Sequence, residues 1–147
     1  MPWITPIYDR TESDAIYARL HPDTTADLKG AWNVADYVRA KGDLEYVAAE
    51  LTIYGYPVTL QAMPDVTVSS LGMQAYVSLL TDNAQAVVDA FTTMATTPAV
   101  PEAVNPWGWS KVNDLEQILA DVEALINKMS AAFIYCGTIY SGEGCLI

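Results

Sequence analysis

Histidine and basic side chains are scarce in this chain, and their scarcity bounds its chemistry. His21 is the only imidazole, and 7 Lys and Arg face 18 Asp and Glu, for a net charge of −11. A serine or cysteine nucleophile needs a base within reach, and a lone His21, followed by Pro22, reads as a surface residue ending a short helix. Only two cysteines occur, Cys136 and Cys145, too few with one histidine for a structural zinc site. The segment Met1-Pro-Trp-Ile-Thr-Pro lacks a basic and then apolar leader, so synthesis in a reducing cytoplasm and free thiols are expected. No apolar run approaches the roughly 18 residues of a membrane span. No Lys or Arg lies between Lys41 and Lys111, while Asp43, Glu45, Glu50, Asp65, Asp82, Asp89 and Glu102 do. Such a surface repels nucleic-acid phosphates and anionic membranes. Neither nucleic acid nor a membrane is therefore expected as a partner, and no cofactor or metal is expected.

What is abundant is packing material. Hydrophobic residues make up 52% and charged residues 17%, with four Trp and nine Tyr, which favours one globular domain over 1–147. Residues 1–10 read as an extended arm, because Pro2 and Pro6 block helix while Trp3, Ile4, Ile7 and Tyr8 offer apolar surface. Thr11 and Asp14 have capping-box spacing for a short helix from Glu12 to Leu20. Residues 11–132 form the expected helical core. Asn33 starts a first long helix that runs to Tyr54, with Gly55 just beyond. Its stripe includes Val34, Tyr37, Leu44, Val47 and Leu51, while Tyr46 and Ile53 lie on the opposite face. A cap at Ser69 or Ser70 opens the second long helix, with a stripe from Met73 through Phe91 to Met94. Ser110 caps the third, about Lys111 to Ala132, whose face carries Val112, Leu115, Leu119, Val122 and Ile126. Val77, Leu80, Phe91, Leu115, Leu119, Val122 and Ile126 are the expected core. The fold class is mainly α: a three-helix bundle plus a short N-terminal helix and the extended arm.

Residues 133–147 alternate apolar and small residues at strand period and carry Gly142 and Gly144. They read as a small C-terminal β-hairpin or strand pair, forming a sheet with the N-terminal arm. The glycines of 137–144 are not a phosphate loop, since neither a Lys nor a helix follows. Carboxylate pairs can serve as general acid and base, but Asp114/Asp121 and Glu116/Glu123 fall at the edges of a core stripe, where helices place solvated charge. Trp107-Gly108-Trp109 is a stacking platform for a sugar ring or base, or, with more weight, packing at the start of a helix.

The run Trp3-Ile-Thr-Pro-Ile-Tyr-Asp9-Arg10-Thr11 with Asp14, then Lys29-Gly-Ala-Trp-Asn33 before Asp36-Tyr-Val-Arg39, then Gly55-Tyr56, forms a pattern. Thr97-Pro98, Pro101, Asn113-x-x-Glu116-Gln-x-Leu119 and Gly137-Thr-Ile-Tyr-Ser-Gly-Glu143 complete it. This pattern resembles a family of small phage and prophage minor structural proteins of Gram-positive bacteria. The resemblance implies a non-enzymatic virion component of the tail, fibre or baseplate region, with other phage structural proteins or copies of itself as partners. Trp3, Ile7, Tyr46, Ile53, Tyr135, Ile139, Tyr140, Leu146 and Ile147 are the expected interface of a homo-oligomer, since arms and off-stripe side chains need cover. The alternative is an acidic cytoplasmic inhibitor, a nucleic-acid mimic occupying a basic site on a host protein.

Overall fold

The computed structural model describes residues 3–22, 28–71, 73–104 and 107–139, with 133–139 as backbone alone. It contains α1 (Glu12–Leu20), α2 (Val34–Ile53), α3 (Gln74–Ala90) and α4 (Trp109–Ile139), and no strand among the described residues. The mainly helical expectation is met. Thr11 caps α1 as its side chain predicts: Asp14 N–H donates to Thr11 Oγ1 at 3.2 Å, and Thr11 N–H donates to Asp14 Oδ2 at 2.9 Å. Asn33 precedes α2, with its N–H on Asp36 Oδ2 at 3.0 Å. Gly55 ends α2 at φ 92, a left-handed conformation that costs a glycine little.

The three long helices run parallel. At one end Arg39 of α2 meets Glu116 of α4, and at the other Tyr54 Oη donates to Ser130 Oγ at 2.7 Å. Similarly, Trp32 Nε1 donates to Leu71 O ahead of α2 and α3, while the Tyr56 and Phe91 rings meet edge to face beyond their far ends. Parallel neighbours cannot be joined by tight turns. The chain must travel back along a helix of about 30 Å before starting the next one. That is the physical role of the two proline-bearing connections, 54–73 and 91–108. Between the helices lies one core containing Leu44, Leu51, Leu80, Leu115, Ile118 and Val122, all fully buried. Each such aliphatic side chain contributes about 1.5–3 kcal/mol relative to exposure.

Four expectations need correction. The first half of the expected hairpin, 133–139, is helical, as the last two turns of α4. Ile126, Met129, Phe133 and Cys136 continue the helical spacing of the α4 stripe, so the helix had a competing claim on a short apolar run. The other half of that hairpin falls outside the described residues. The arm does not lie in a sheet; it lies along α2 and α4, held by side chains. The second long helix starts at Gln74, because Ser70 is engaged in a local turn, where its Oγ accepts Thr67 N–H at 2.9 Å. Phe91 is half-buried rather than central, since α3 stops at Ala90 and the ring packs on Tyr56.

Candidate functional site

The arm crosses α2 and α4 with three amides aimed at them: Ile4, Ile7 and Arg10. A spacing of three is the period of a polyproline II helix, which leaves its backbone groups free for other partners. Ile4 N–H donates to Asp43 Oδ1 at 3.0 Å, Ile7 N–H to Glu116 Oε2, and Arg10 N–H to Asn113 Oδ1 at 3.1 Å. Asn113 Nδ2 returns a bond to Arg10 O at 2.8 Å, so one carboxamide grips both polar groups of a single arm residue.

At the end of the arm, Arg10 enters a buried cluster of four charges. Its Nη2 lies 2.9 Å from Asp36 Oδ1 and 3.3 Å from Glu116 Oε1. Its Nε donates to Lys29 O at 2.9 Å and its Nη1 to Ile7 O and Asn113 Oδ1, so every guanidinium N–H has an acceptor. Arg39 Nη2 completes the cluster, 2.6 Å from Asp36 Oδ1 and 2.5 Å from Glu116 Oε1. Glu116 is 1% exposed. Two cations and two anions face one another, and their mutual attraction and hydrogen bonds offset the desolvation cost of burying each. Burial pulls the Arg39 guanidinium down, but hydrogen bonds and charge from Glu116 and Asp36 outweigh it and hold it above its ordinary value.

Asp43 is the odd charge. It sits one turn beyond Arg39, 1% exposed, and its Oδ2 has no hydrogen-bond partner. Burial pushes its carboxyl up to about 6, against the Ile4 N–H bond and the charge of Arg39, with Glu116 and Glu123 adding to the rise.

The same mode of capture recurs on the return crossings. Asn83 of α3 accepts Gln61 N–H at 2.7 Å and donates to Gln61 O at 2.9 Å. Asp121 of α4 accepts the Thr97 hydroxyl at 2.6 Å and Gln117 Nε2 at 2.7 Å. Glu116 and Asp121, expected at solvated borders, are therefore buried. Each faces an extended segment that covers the helix edge, and periodicity carries no sign of such a segment.

A separate half-open cavity of about 350 Å³ lies between α1, residues 30–32 and the first turn of α4. Three indoles, Trp32, Trp107 and Trp109, line it, with Arg19 at α1 and Gly108 beside them. Trp32 and Trp107 meet edge to face with centroids 5.9 Å apart, and Trp107 Nε1 is buried without an acceptor. Gly30 lets its loop close on α1: a Cβ there would sit 2.0 Å from the Asp14 carbonyl oxygen.

Of the expected interface, Trp3 and Tyr46 come together within this one chain, ring centroids 5.6 Å apart, and Ile7 is half-buried along the arm. Ile53 is 72% exposed at the end of α2. Tyr135 and Ile139 lie on the α4 backbone that continues past the end of α2, and Tyr140, Leu146 and Ile147 fall outside the described residues. Sequence periodicity gives no sign of the charge cluster, although Arg10, Asp36, Arg39, Asn113 and Glu116 all belong to the pattern that carries the resemblance. Among the described residues no group of His, Cys, Asp and Glu is placed to hold a metal, and no helix is long and apolar enough to cross a membrane. Comparisons with known protein families, with curated proteins and with solved structures find nothing that matches this chain.

Proposed function

We propose that this chain is a non-enzymatic structural module of a phage particle, from the tail, fibre or baseplate region, that works by packing against copies of itself or other virion proteins. One observation carries the reading: the residues that prompted the resemblance, Arg10, Asp36, Arg39, Asn113 and Glu116, meet in a single buried cluster that holds the arm. Their donors and acceptors are spent on one another and on backbone. They brace a shape and leave no free base or nucleophile at that point. Ile53, Val68 and Met73, exposed at 72%, 85% and 54%, are apolar side chains available to a neighbour. The inhibitor reading draws less support, because Asp36, Asp43, Glu116 and Asp121 are buried and so are withdrawn from any surface row that would imitate phosphates.

Two measurements test the reading. Mass spectrometry of density-purified particles from the strain that carries the gene should find the chain in intact virions, and light scattering of the purified protein should report a dimer or trimer. Its absence from particles, in lysates where it is abundant, would sink the virion assignment. A monomer at tens of micromolar would remove self-association.

A further inference from the structure

The cavity under α1 is chemically unlike the rest of this protein. The chain is acidic throughout, yet the described residues that line this cavity include no Asp or Glu, and the charged ones among them are Arg10 and Arg19. Arg10 is saturated by the buried cluster. Arg19 is exposed and has neither an ion pair nor a hydrogen bond among the described residues. Small-molecule sites are concave and mostly apolar, with a few polar groups fixing orientation, and a volume of about 350 Å³ suits a single ring. Trp32, Trp107 and Trp109 provide apolar π faces. The first turn of α4 opens on the same space. Gly108 at its cap position has no side chain to satisfy the helix N–H groups, and a 31-residue helix directs its positive end there.

We propose that this cavity is a binding site for an anionic sugar residue, a pyranose carrying one carboxylate or phosphate. The ring's C–H face would stack on the indoles, and its acidic group would meet the Arg19 guanidinium and the start of α4. A neutral sugar would keep the stacking and lose the charge-assisted bonds; a free anion would keep the charge and lose the stacking. The site is independent of the virion reading, because it needs no partner chain.

The test is titration of the full-length protein, followed by indole N–H signals in heteronuclear spectra. The probes are glucuronate, glucose 6-phosphate, glucose and inorganic phosphate. The expected result is saturable shifts of the Trp32, Trp107 and Trp109 signals with glucuronate or glucose 6-phosphate, at least about tenfold tighter than with glucose or phosphate alone. Which of the two binds tighter identifies the acidic group. Arg19 is exposed and makes no hydrogen bond or ion pair among the described residues, so Arg19→Gln should keep the parent melting temperature while losing the preference over glucose. Trp109→Ala should abolish the shifts at the remaining two indoles. The proposal is overturned if no probe moves these signals at about 50 mM, or if Arg19→Gln binds both anionic sugars as tightly as the parent does.

Discussion

Asn113 and Asn83 do the same thing in opposite surroundings. Each gives its carboxamide to both polar backbone groups of one extended residue, Arg10 and Gln61 respectively. Beside Asn113 lie four paired charges, whereas Asn83 stands 1% exposed in a helix face otherwise formed by Leu80, Ala84 and Val87. A helix has no free backbone groups along its side, so an extended segment laid on it must find side-chain partners or remain wet. The neutral clamp solves this locally. The charged one also ties α2 and α4 to the arm, because Arg10, Asp36, Arg39 and Glu116 come from all three. Failure at Asn83 should loosen one crossing; failure in the cluster should strand charges in the interior.

The largest effect is expected at Glu116. Glu116→Ala leaves Arg10 and Arg39 buried with one carboxylate between them, and breaking a buried pair costs about 3–5 kcal/mol. Chemical denaturation should show that loss, and a loss under about 1 kcal/mol would mean the cluster is as wet as a surface ion pair.

Asp43 sharpens the contrast through pH. Its folded carboxyl, at about 6, lies above its ordinary value of 3.8. Below the ordinary value both states are protonated and the residue costs nothing. As pH rises through the window up to about 6, the unfolded chain releases its proton first and stability falls; above it the penalty is complete, at no more than about 3 kcal/mol. Asp43→Asn can still accept Ile4 N–H, so it should raise the melting temperature at pH 7, with the gain over the parent shrinking to nothing near pH 4. A variant less stable than the parent at every pH would show that Asp43 is held as a needed anion.

The smallest effect belongs to the neutral clamp. Asn83→Ala should cost about 1–3 kcal/mol, since it removes two hydrogen bonds to Gln61, whose side chain is exposed and whose backbone can take water instead. Its cost should not change between pH 5 and 8. A loss equal to that of Glu116→Ala would erase the distinction between the two clamps.

Features governed by neighbouring residues were legible in the sequence. Thr11 with Asp14 and Asn33 with Asp36 mark where helices begin, and Gly55 marks where α2 ends. Of the seven expected core residues, six are buried, Phe91 being the exception. What depends on distant parts of the chain was not legible. The parallel direction of α2, α3 and α4 leaves no trace in periodicity; its only sign was the length of two proline-bearing connections. Glu116 at the margin of a stripe looks the same whether it faces water or an incoming arm. Arg10 and Arg39 are two of only seven basic residues in a very acidic chain, and that rarity was the one available hint that each had a fixed partner. The cavity beside Trp107 is half-visible in the sequence: Trp107-Gly108-Trp109 stands out there, but Trp32 and Arg19 reach it only through the fold.

The central claim is that the arm belongs to the folded core, latched by the charge cluster, and is not a loosely attached end. Native-state hydrogen exchange at the amides of Ile7 and Arg10 tests it most directly. The account predicts that both exchange only through global unfolding, with the same free energy as the slowest amides of α4 around Leu119. Exchange at Ile7 and Arg10 near unfolded-chain rates, while Leu119 stays protected, would contradict it.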